Sequence, residues 1–218
     1  MQIQSLTVNK LITGLFCLLM SICSWGQINP VILVLGDSLS AEYGLPRGTG
    51  WVNLLEKQLE KEQSPWTIFN ASISGETSSG GLTRLPALLS QKKPGIVMIE
   101  LGANDALRGL PVSQTESNLH KMIQLSKKSG ARVLLFGIQI PSNYGQGYTS
   151  QFKMLYPQLA KAEQIELLPF FLGGVATKPE FFQADRLHPN VAAQSILFKN
   201  VWGAMAPYSN LLKKIPSN

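Results

Sequence analysis

Cysteine is nearly absent from this chain. The 218 residues contain two cysteines, Cys17 and Cys23, and both lie in an apolar stretch near the amino terminus. We expect residues 1–26 to be a secretory signal peptide that is removed, leaving residues 27–218 as a single domain. A mature protein without cysteine has no disulfides, no thiolate metal site and no cysteine nucleophile.

The leader prediction depends on the composition of the amino terminus. The uncharged run "LITGLFCLLMSICSW" follows Lys10, and "GQINP" then ends it. This run is shorter than the roughly 20 apolar residues of a membrane span, and Ser24 and Gly26 have the spacing of a cleavage site. We therefore expect export to the periplasm or beyond the cell, with no stable membrane insertion after cleavage. A retained anchor is the alternative, because positive charge before the run is sparse.

Runs of one charge are also missing. Only 15% of the residues are charged, and the lysines and arginines that give the formal net charge of +6 are scattered. Without a basic stripe interleaved with aromatic residues, nucleic acid is not an expected partner. The phosphate-loop pattern G-x-x-x-x-G-K-[ST] does not occur. What remains is a chain that is 44% hydrophobic and long enough for one substantial core.

Short apolar runs alternate with longer segments of helical periodicity. The runs predict strands at 31–36, 66–73, 95–102, 131–140 and 164–170. Helices are predicted at 50–62, 80–91, 113–130, 149–163 and after Pro189. This alternation predicts an α/β domain with a parallel sheet covered by helices on both faces. In such a domain, functional sites form beyond the carboxyl ends of the strands.

Ser38 lies just beyond the first predicted strand, in "VILVLGDSLSAEYG". Its hydroxyl either caps a following helix or is a nucleophile, and a nucleophile needs a base, an acid and oxyanion donors. Of the two histidines, His120 is in a polar helical stretch and is expected at the surface. His188 follows Asp185 by three residues, a spacing at which the carboxylate can accept the imidazole Nδ1–H and leave Nε2 as the base. The same spacing is typical of an Asx turn with a solvent-facing histidine.

Candidate oxyanion donors follow the second and third predicted strands. Gly75, in "NASISGET", has no Cβ and can turn its backbone N–H towards a bound carbonyl. Asn104, in "GAND", offers a neutral amide, and the backbone N–H of Ser38 is the third donor. Taken singly, a glycine or asparagine here is typical of a turn or loop, but their shared placement at strand ends favours a site. The remaining aspartates, Asp37 and Asp105, are expected to brace it through hydrogen bonds.

Four motif blocks occur in the order found in a known family. The chain resembles the SGNH (GDSL-type) hydrolases in "GDSLS" (36–40), "SISGET" (72–77), "LGANDALRGLP" (101–111) and "DRLHP" (185–189). The second and third blocks look like the periplasmic subgroup of multifunctional thioesterases, lysophospholipases and arylesterases. By this resemblance Ser38, Asp185 and His188 are catalytic, and Ser38, Gly75 and Asn104 form the oxyanion hole.

The resemblance implies a three-layer α/β/α, flavodoxin-like fold with a five-stranded parallel sheet and an open site. It also implies hydrolysis of small-molecule or lipid acyl esters and thioesters, namely lysophospholipids, acyl-CoA and aryl esters, with no metal or organic cofactor. Activity should decline in acid as His188 gains a proton. In "ALRGLP" (106–111), Leu107 and Leu110 are expected to line an acyl groove, with an ordinary packed loop as the alternative, and Arg108 is expected to be solvated.

Two other functions are open at this point. A carbohydrate O-deacetylase of the same family would prefer acetylated xylan to p-nitrophenyl octanoate or palmitoyl-CoA. A non-catalytic flavodoxin-like binding module would leave Ser38 unlabelled by a fluorophosphonate probe. A binding module of this kind gives no reason for the four motif blocks to occur together.

Overall fold

Parallel strands form the centre of the computed structural model, which describes residues 30–213. The strands are β1 (Val31–Gly36), β2 (Thr67–Asn70), β3 (Ile96–Glu100), β4 (Arg132–Phe136) and β5 (Glu166–Leu168). Their order in the sheet is β2-β1-β3-β4-β5, and each pairing is parallel. This is the flavodoxin-like order, so the predicted five-stranded α/β fold is confirmed. The predicted leader at 1–26, with Cys17 and Cys23, lies outside the described residues.

Helices cover both faces of the sheet. They are α1 (Trp51–Lys61), α2 (Ser78–Lys92), α3 (Ala103–Leu107), α4 (Val112–Lys128), α5 (Gln146–Glu163), α6 (Val191–Ala204) and α7 (Ser209–Leu212). One core contains side chains of α1, α6 and α7, and the other contains side chains of α2, α4 and α5. Because successive side chains of a strand point to opposite faces, Leu33 and Leu35 belong to one core while Ile32 and Val34 belong to the other. Within residues 30–213, no helix has the length and apolar character required to cross a membrane.

Four strands end earlier than the apolar runs predict, and of these β4 stops at Phe136 and β5 at Leu168, whereas the runs extend to residues 140 and 170. β2 stops at Asn70, whose side-chain oxygen accepts the backbone N–H of Ser72 at 3.1 Å and starts a turn. β3 stops at Glu100 because Gly102 adopts a φ of 116°, which ends the extended chain. The short helix α3 then begins at Ala103, within a segment for which no helix is predicted. Because the strands end early, the polar residues at the carboxyl edge of the sheet lie in loops rather than in strands.

Three helices begin earlier than their patterns predict, α4 at Val112, α5 at Gln146 and α2 at Ser78. α2 starts at Ser78 because the side chain of Thr77 caps it, accepting the backbone N–H of Gly80 at 3.3 Å. The helix is continuous through Pro86. Its first turn therefore lies at the carboxyl edge, close to the loop that contains Gly75.

Candidate active site

Ser38 occupies a tight turn directly after β1. The backbone N–H groups of Ser40 and Ala41 both donate to the carbonyl of Asp37, at 3.2 and 3.0 Å. The Asp37 carboxylate also accepts the N–H of Leu39 at 3.0 Å. This turn holds Ser38 at the edge of the sheet, where its hydroxyl reaches a residue 150 positions later in the chain.

That residue is His188. The hydroxyl oxygen of Ser38 lies 2.9 Å from His188 Nε2, and His188 Nδ1 lies 2.7 Å from Asp185 Oδ2. With Nδ1–H donating to the carboxylate, Nε2 accepts the serine hydroxyl. The structure thus brings together the three residues for which the sequence predicts catalytic roles, in the spatial order serine, histidine, aspartate.

The Asp185 carboxylate is held in its ionised form by its own turn. It accepts the backbone N–H of His188 at 3.0 Å and of Leu187 at 2.9 Å, as well as the imidazole. The His188 backbone N–H, followed by the Leu187 N–H and the His188 ring, lowers the pKa of Asp185 to about 2. The Asx-type turn of the alternative is therefore present, but its solvent-facing histidine is not, because the imidazole faces Ser38 and is mostly buried.

A side chain that the sequence analysis missed joins the histidine loop to the nucleophile loop. Gln183 Nε2 donates to the carbonyl of Tyr43 at 2.9 Å and to that of Pro189 at 3.1 Å. The Tyr43 ring lies against the imidazole of His188, with centroids 4.4 Å apart. Gly44 leaves room for this bridge, because a Cβ there would lie 2.1 Å from the Gln183 side-chain oxygen.

Two of the predicted oxyanion donors are backbone groups at the same edge. Gly75 adopts a φ of 78°, a left-handed conformation that favours glycine, and both Gly75 and Ser38 line the cavity described below. Within residues 30–213, neither the N–H of Ser38 nor that of Gly75 donates to another protein atom. Both residues therefore border the cavity with backbone N–H groups that have no acceptor among residues 30–213.

The third predicted donor, the side-chain amide of Asn104, is already hydrogen-bonded within the protein. Asn104 Nδ2 donates to Asp37 Oδ2 at 2.9 Å and to the carbonyl of Glu76 at 3.0 Å. Both amide hydrogens are therefore engaged in this state of the protein. Asn104 can serve a bound oxyanion only by sharing or exchanging one of these bonds.

A buried carboxyl group lies behind the nucleophile turn. Glu100, the last residue of β3, accepts the hydroxyl of Ser40 at 2.7 Å and the backbone N–H of Asp37 at 3.3 Å through Oε2. Burial raises the pKa of Glu100 well above its usual range, and the charge of nearby Asp37 adds to the effect. Burial likewise raises the pKa of Asp37 to about 6, against hydrogen bonds from Leu39 and Asn104 that lower it.

Asp105 and Arg108 form hydrogen bonds to the segment that contains Gly75 and the start of α2. Asp105 accepts the backbone N–H of Ser78 at 2.8 Å and the Ser78 hydroxyl, which fixes the start of α2. Arg108 Nη2 donates to the carbonyl of Gly75 at 2.9 Å. Asp37 and Asp105 thus make the bracing hydrogen bonds expected of them, and Arg108 is exposed but bound to the loop rather than merely solvated.

A cavity of about 960 Å³ opens at Ser38. Its wall includes apolar side chains from the segments that follow β4 and β5, namely Ile138, Ile140, Phe170 and Leu172. Leu107 also lines it, whereas Leu110 does not, and the acyl groove expected at these two leucines stays a prediction. The carbonyl of Leu110 accepts the hydroxyl of Tyr148 at 2.6 Å.

Arg186 and His120 differ in whether the sequence indicated where they lie. Arg186 lines the cavity beside His188 and adopts a φ of 56°, and the sequence analysis did not single it out. His120 lies on α4, where its Nδ1 is 2.8 Å from Glu163 Oε1, and it does not line the cavity. The surface position expected for His120 is therefore correct.

The chain matches one enzyme family over most of its length. The sequence pattern of the GDSL-like lipase/acylhydrolase family matches residues 34–196. An arylesterase from Vibrio mimicus is 50% identical over 168 residues, which cover 77% of this chain and 84% of the relative. Thioesterase 1/protease 1/lysophospholipase L1 from Escherichia coli strain K12 is 47% identical over 166 residues, covering 76% of this chain and 78% of the relative.

The fold is shared with a solved structure of similar sequence. The crystal structure of TesA aligns with a TM-score of 0.79 and 50% sequence identity, covering 81% of this chain and 98% of that chain. The region matched by the family pattern runs from the middle of β1 into α6 and contains both Ser38 and His188.

Proposed function

This chain belongs to the GDSL-like lipase/acylhydrolase family and is an ester hydrolase, and from that premise we propose that Ser38, His188 and Asp185 form its catalytic triad. The proposal is carried by one observation. The Ser38 hydroxyl lies 2.9 Å from His188 Nε2, the opposite ring nitrogen lies 2.7 Å from Asp185, and the hydroxyl faces a cavity large enough for an acyl chain.

The first half of the reaction forms an acyl-enzyme. The Ser38 oxygen attacks the acyl carbonyl carbon while His188 Nε2 takes the hydroxyl proton. The resulting imidazolium is stabilised by Asp185, which stays ionised. The tetrahedral intermediate then collapses, the bond to the leaving oxygen or sulfur breaks, and His188 returns its proton to that atom. The products are the acyl-serine ester and a free alcohol or thiol.

The second half releases the acid. A water molecule gives its proton to His188 and attacks the acyl-serine carbonyl, and the Ser38 oxygen leaves with the proton that His188 returns. In both halves the negative oxygen accepts hydrogen bonds from the backbone N–H groups of Ser38 and Gly75. We assign the third donor to Asn104, which requires its amide to loosen one bond, to Asp37 or to Glu76.

The substrates that we propose carry an apolar acyl chain on an ester or thioester. Apolar side chains after β4 and β5 line the cavity, and its volume of about 960 Å³ exceeds the needs of an acetyl group. The related arylesterase and the related thioesterase/lysophospholipase are named for substrates of these classes. A carbohydrate O-deacetylase is therefore the less favoured function.

The test combines labelling with a substrate panel. A fluorophosphonate probe should label the wild-type chain at Ser38 and should not label Ser38→Ala. Wild-type enzyme should hydrolyse p-nitrophenyl octanoate, palmitoyl-CoA and lysophosphatidylcholine, and these activities should vanish in Ser38→Ala. Activity confined to acetylated xylan would instead identify a deacetylase, and unlabelled Ser38 with no hydrolysis would contradict the triad.

We also propose that the enzyme is exported, with residues 1–26 as its leader. The uncharged apolar run after Lys10 supports this proposal. Mass spectrometry of the protein recovered from a periplasmic fraction should give an amino terminus at Gln27. Recovery of the uncut chain with the membrane fraction would favour the retained anchor.

A further inference from the structure

Most of the exposed large apolar side chains lie at one end of the molecule. Seven such side chains are exposed within residues 30–213, and two of them, Met154 in α5 and Leu211 in α7, lie away from the active site. The other five follow the carboxyl ends of strands or begin a helix there: Tyr43, Ile73, Tyr144, Leu187 and Val191. We call these five residues the mouth rim.

Two members of the mouth rim touch the catalytic residues. Tyr43 packs against the His188 ring, and both Tyr43 and Leu187 line the cavity, yet 49% and 42% of their surfaces remain exposed. Leu187 is also the residue directly before His188 in the chain. The apolar surface thus begins at the opening of the cavity itself.

The other members surround that opening from three different segments. Ile73 immediately precedes two cavity-lining residues, Ser74 and Gly75. The hydroxyl of Tyr144 donates to the carbonyl of Leu107, which also lines the cavity. Val191 is the first residue of α6, three positions after His188. Exposed apolar side chains from four segments of the chain therefore lie at or next to one opening.

Exposed charges in the same loops favour an anionic partner. Arg47, Arg108, Lys178 and Arg186 are exposed there, against Glu180 and Asp185. The Asp185 carboxylate is already occupied by the His188 ring and two backbone N–H groups. An apolar ring with two tyrosines and a surplus of cations is the composition that binds at a charged lipid–water interface.

We propose that the mouth rim docks on an anionic phospholipid surface, with the opening of the cavity facing the lipid. In this orientation the rim side chains enter the headgroup region and the arginines meet lipid phosphates. An acyl lipid can then pass from the surface into the cavity without its chain crossing water. The proposal concerns binding of the protein to a surface and holds whichever ester the site hydrolyses.

Vesicle flotation of an inactive chain tests the docking separately from catalysis. Ser38→Ala protein should float with phosphatidylcholine/phosphatidylglycerol vesicles and more weakly with phosphatidylcholine alone. Adding Ile73→Ser and Val191→Ser should weaken binding about tenfold or more, equivalent to ~1.4 kcal/mol. The matched control adds Met154→Ser and Leu211→Ser, which remove exposed apolar side chains elsewhere and should leave binding unchanged. Equal binding by the two double variants would overturn the proposal.

A second measurement locates the lipid contact even if the amino-terminal segment itself binds vesicles. Against the quenching of the four native tryptophans in the parent chain, a tryptophan introduced as Ile73→Trp should add a component that brominated phospholipids quench, whereas one introduced as Met154→Trp should add none. With Ser38 restored, the Ile73→Ser/Val191→Ser chain should hydrolyse soluble p-nitrophenyl butyrate at the wild-type rate, which shows that it is folded. Unquenched Ile73→Trp, or a concentration-dependent dimer that the rim substitutions abolish, would assign the rim to another use.

Discussion

Glu100 accepts the hydroxyl of Ser40 at 2.7 Å directly behind the nucleophile turn. The same carboxyl oxygen accepts the backbone N–H of Asp37, so one buried side chain from β3 holds the chain on both sides of Ser38. Gly36 is the partner of Glu100 in the β1–β3 pairing, and a Cβ on Gly36 would lie 2.8 Å from that oxygen. The glycine before Asp37 and Ser38 is thus required by a carboxyl group on the neighbouring strand.

Two substitutions of Glu100 should distinguish the effect of its hydrogen bonds on stability from the effect of its ionisable group. Glu100→Ala leaves Ser40 without its acceptor, and we expect a loss of about 1–3 kcal/mol in the free energy of unfolding. Glu100→Gln keeps an acceptor and removes the ionisable group. Because burial raises the pKa of Glu100, the folded chain holds the proton more tightly than the unfolded chain, and stability falls as pH rises above about 4.

Urea denaturation of the wild type and both variants between about pH 4 and about pH 7 measures this effect. The wild type should lose stability as pH rises, partly through Asp37, whose pKa is raised to about 6. Glu100→Gln should lose less over the same range. If wild type and Glu100→Gln showed the same slope, Glu100 would not be a buried titrating acid.

Asn104→Ala tests whether an engaged amide still serves the oxyanion. We expect kcat for p-nitrophenyl octanoate to fall about 10²–10³-fold with little change in KM, because the bond matters mainly in the transition state. Asn143→Ala, which removes an exposed asparagine from the turn after β4, is the control and should have wild-type kinetics. A loss within about tenfold in folded Asn104→Ala protein would restrict the oxyanion hole to backbone donors.

Asp185→Asn should remove the charge that stabilises the imidazolium. We expect kcat to fall about 10³–10⁴-fold, while Glu180→Gln, at an exposed acid in the same loop, should stay near wild type. The lowered pKa of Asp185 means that its contribution to stability is present above about pH 4 and is lost as pH falls towards 2. The acid limb of the kcat profile, measured above about pH 4, should therefore come from a group other than Asp185.

Arg186→Ala should change which leaving groups the enzyme prefers. Arg186 lines the cavity beside His188, and a guanidinium there can meet the phosphates of an acyl-CoA or a lysophospholipid. We expect the ratio of kcat/KM for palmitoyl-CoA to that for p-nitrophenyl octanoate to fall about tenfold. Arg186→Lys should retain most of the ratio, and Arg47→Ala should not alter it. An unchanged ratio in Arg186→Ala would show that the cation takes no part in substrate choice.

The parts of the fold that the sequence predicts are those governed by local periodicity. Strand and helix alternation fixes a parallel sheet, and a parallel sheet places the residues after each strand at one edge. For this reason Ser38, Gly75, Asn104 and His188 could be expected near one another before any distance was known. Their catalytic roles stay predictions. The hydrogen bonds that join Ser38 to His188 and His188 to Asp185 have the arrangement that those roles require.

The missed residues depend on contacts between distant loops. Nothing local indicates that Gln183 reaches the carbonyl of Tyr43, 140 positions earlier, or that Arg186 lines the cavity. Glu100 did leave a signal, since it is an acid at the end of the otherwise apolar run "GIVMIELG" and a buried charge there needs a partner. Helix α3 escaped prediction because five residues are too few to show a helical period.

Leu107 and Leu110 provide a matched pair for testing the acyl site. Leu107 is the last residue of α3 and Leu110 follows it by three positions, yet only Leu107 lines the cavity. Leu107→Trp adds bulk to the wall and should lower kcat/KM for p-nitrophenyl palmitate relative to p-nitrophenyl butyrate, because a long chain needs the space that the indole would fill. Leu110→Trp should leave this ratio unchanged. Rates across a series of p-nitrophenyl esters of increasing acyl length measure the effect. If Leu110→Trp shifted the chain-length preference and Leu107→Trp did not, the acyl chain would run along the Leu110 side of the loop.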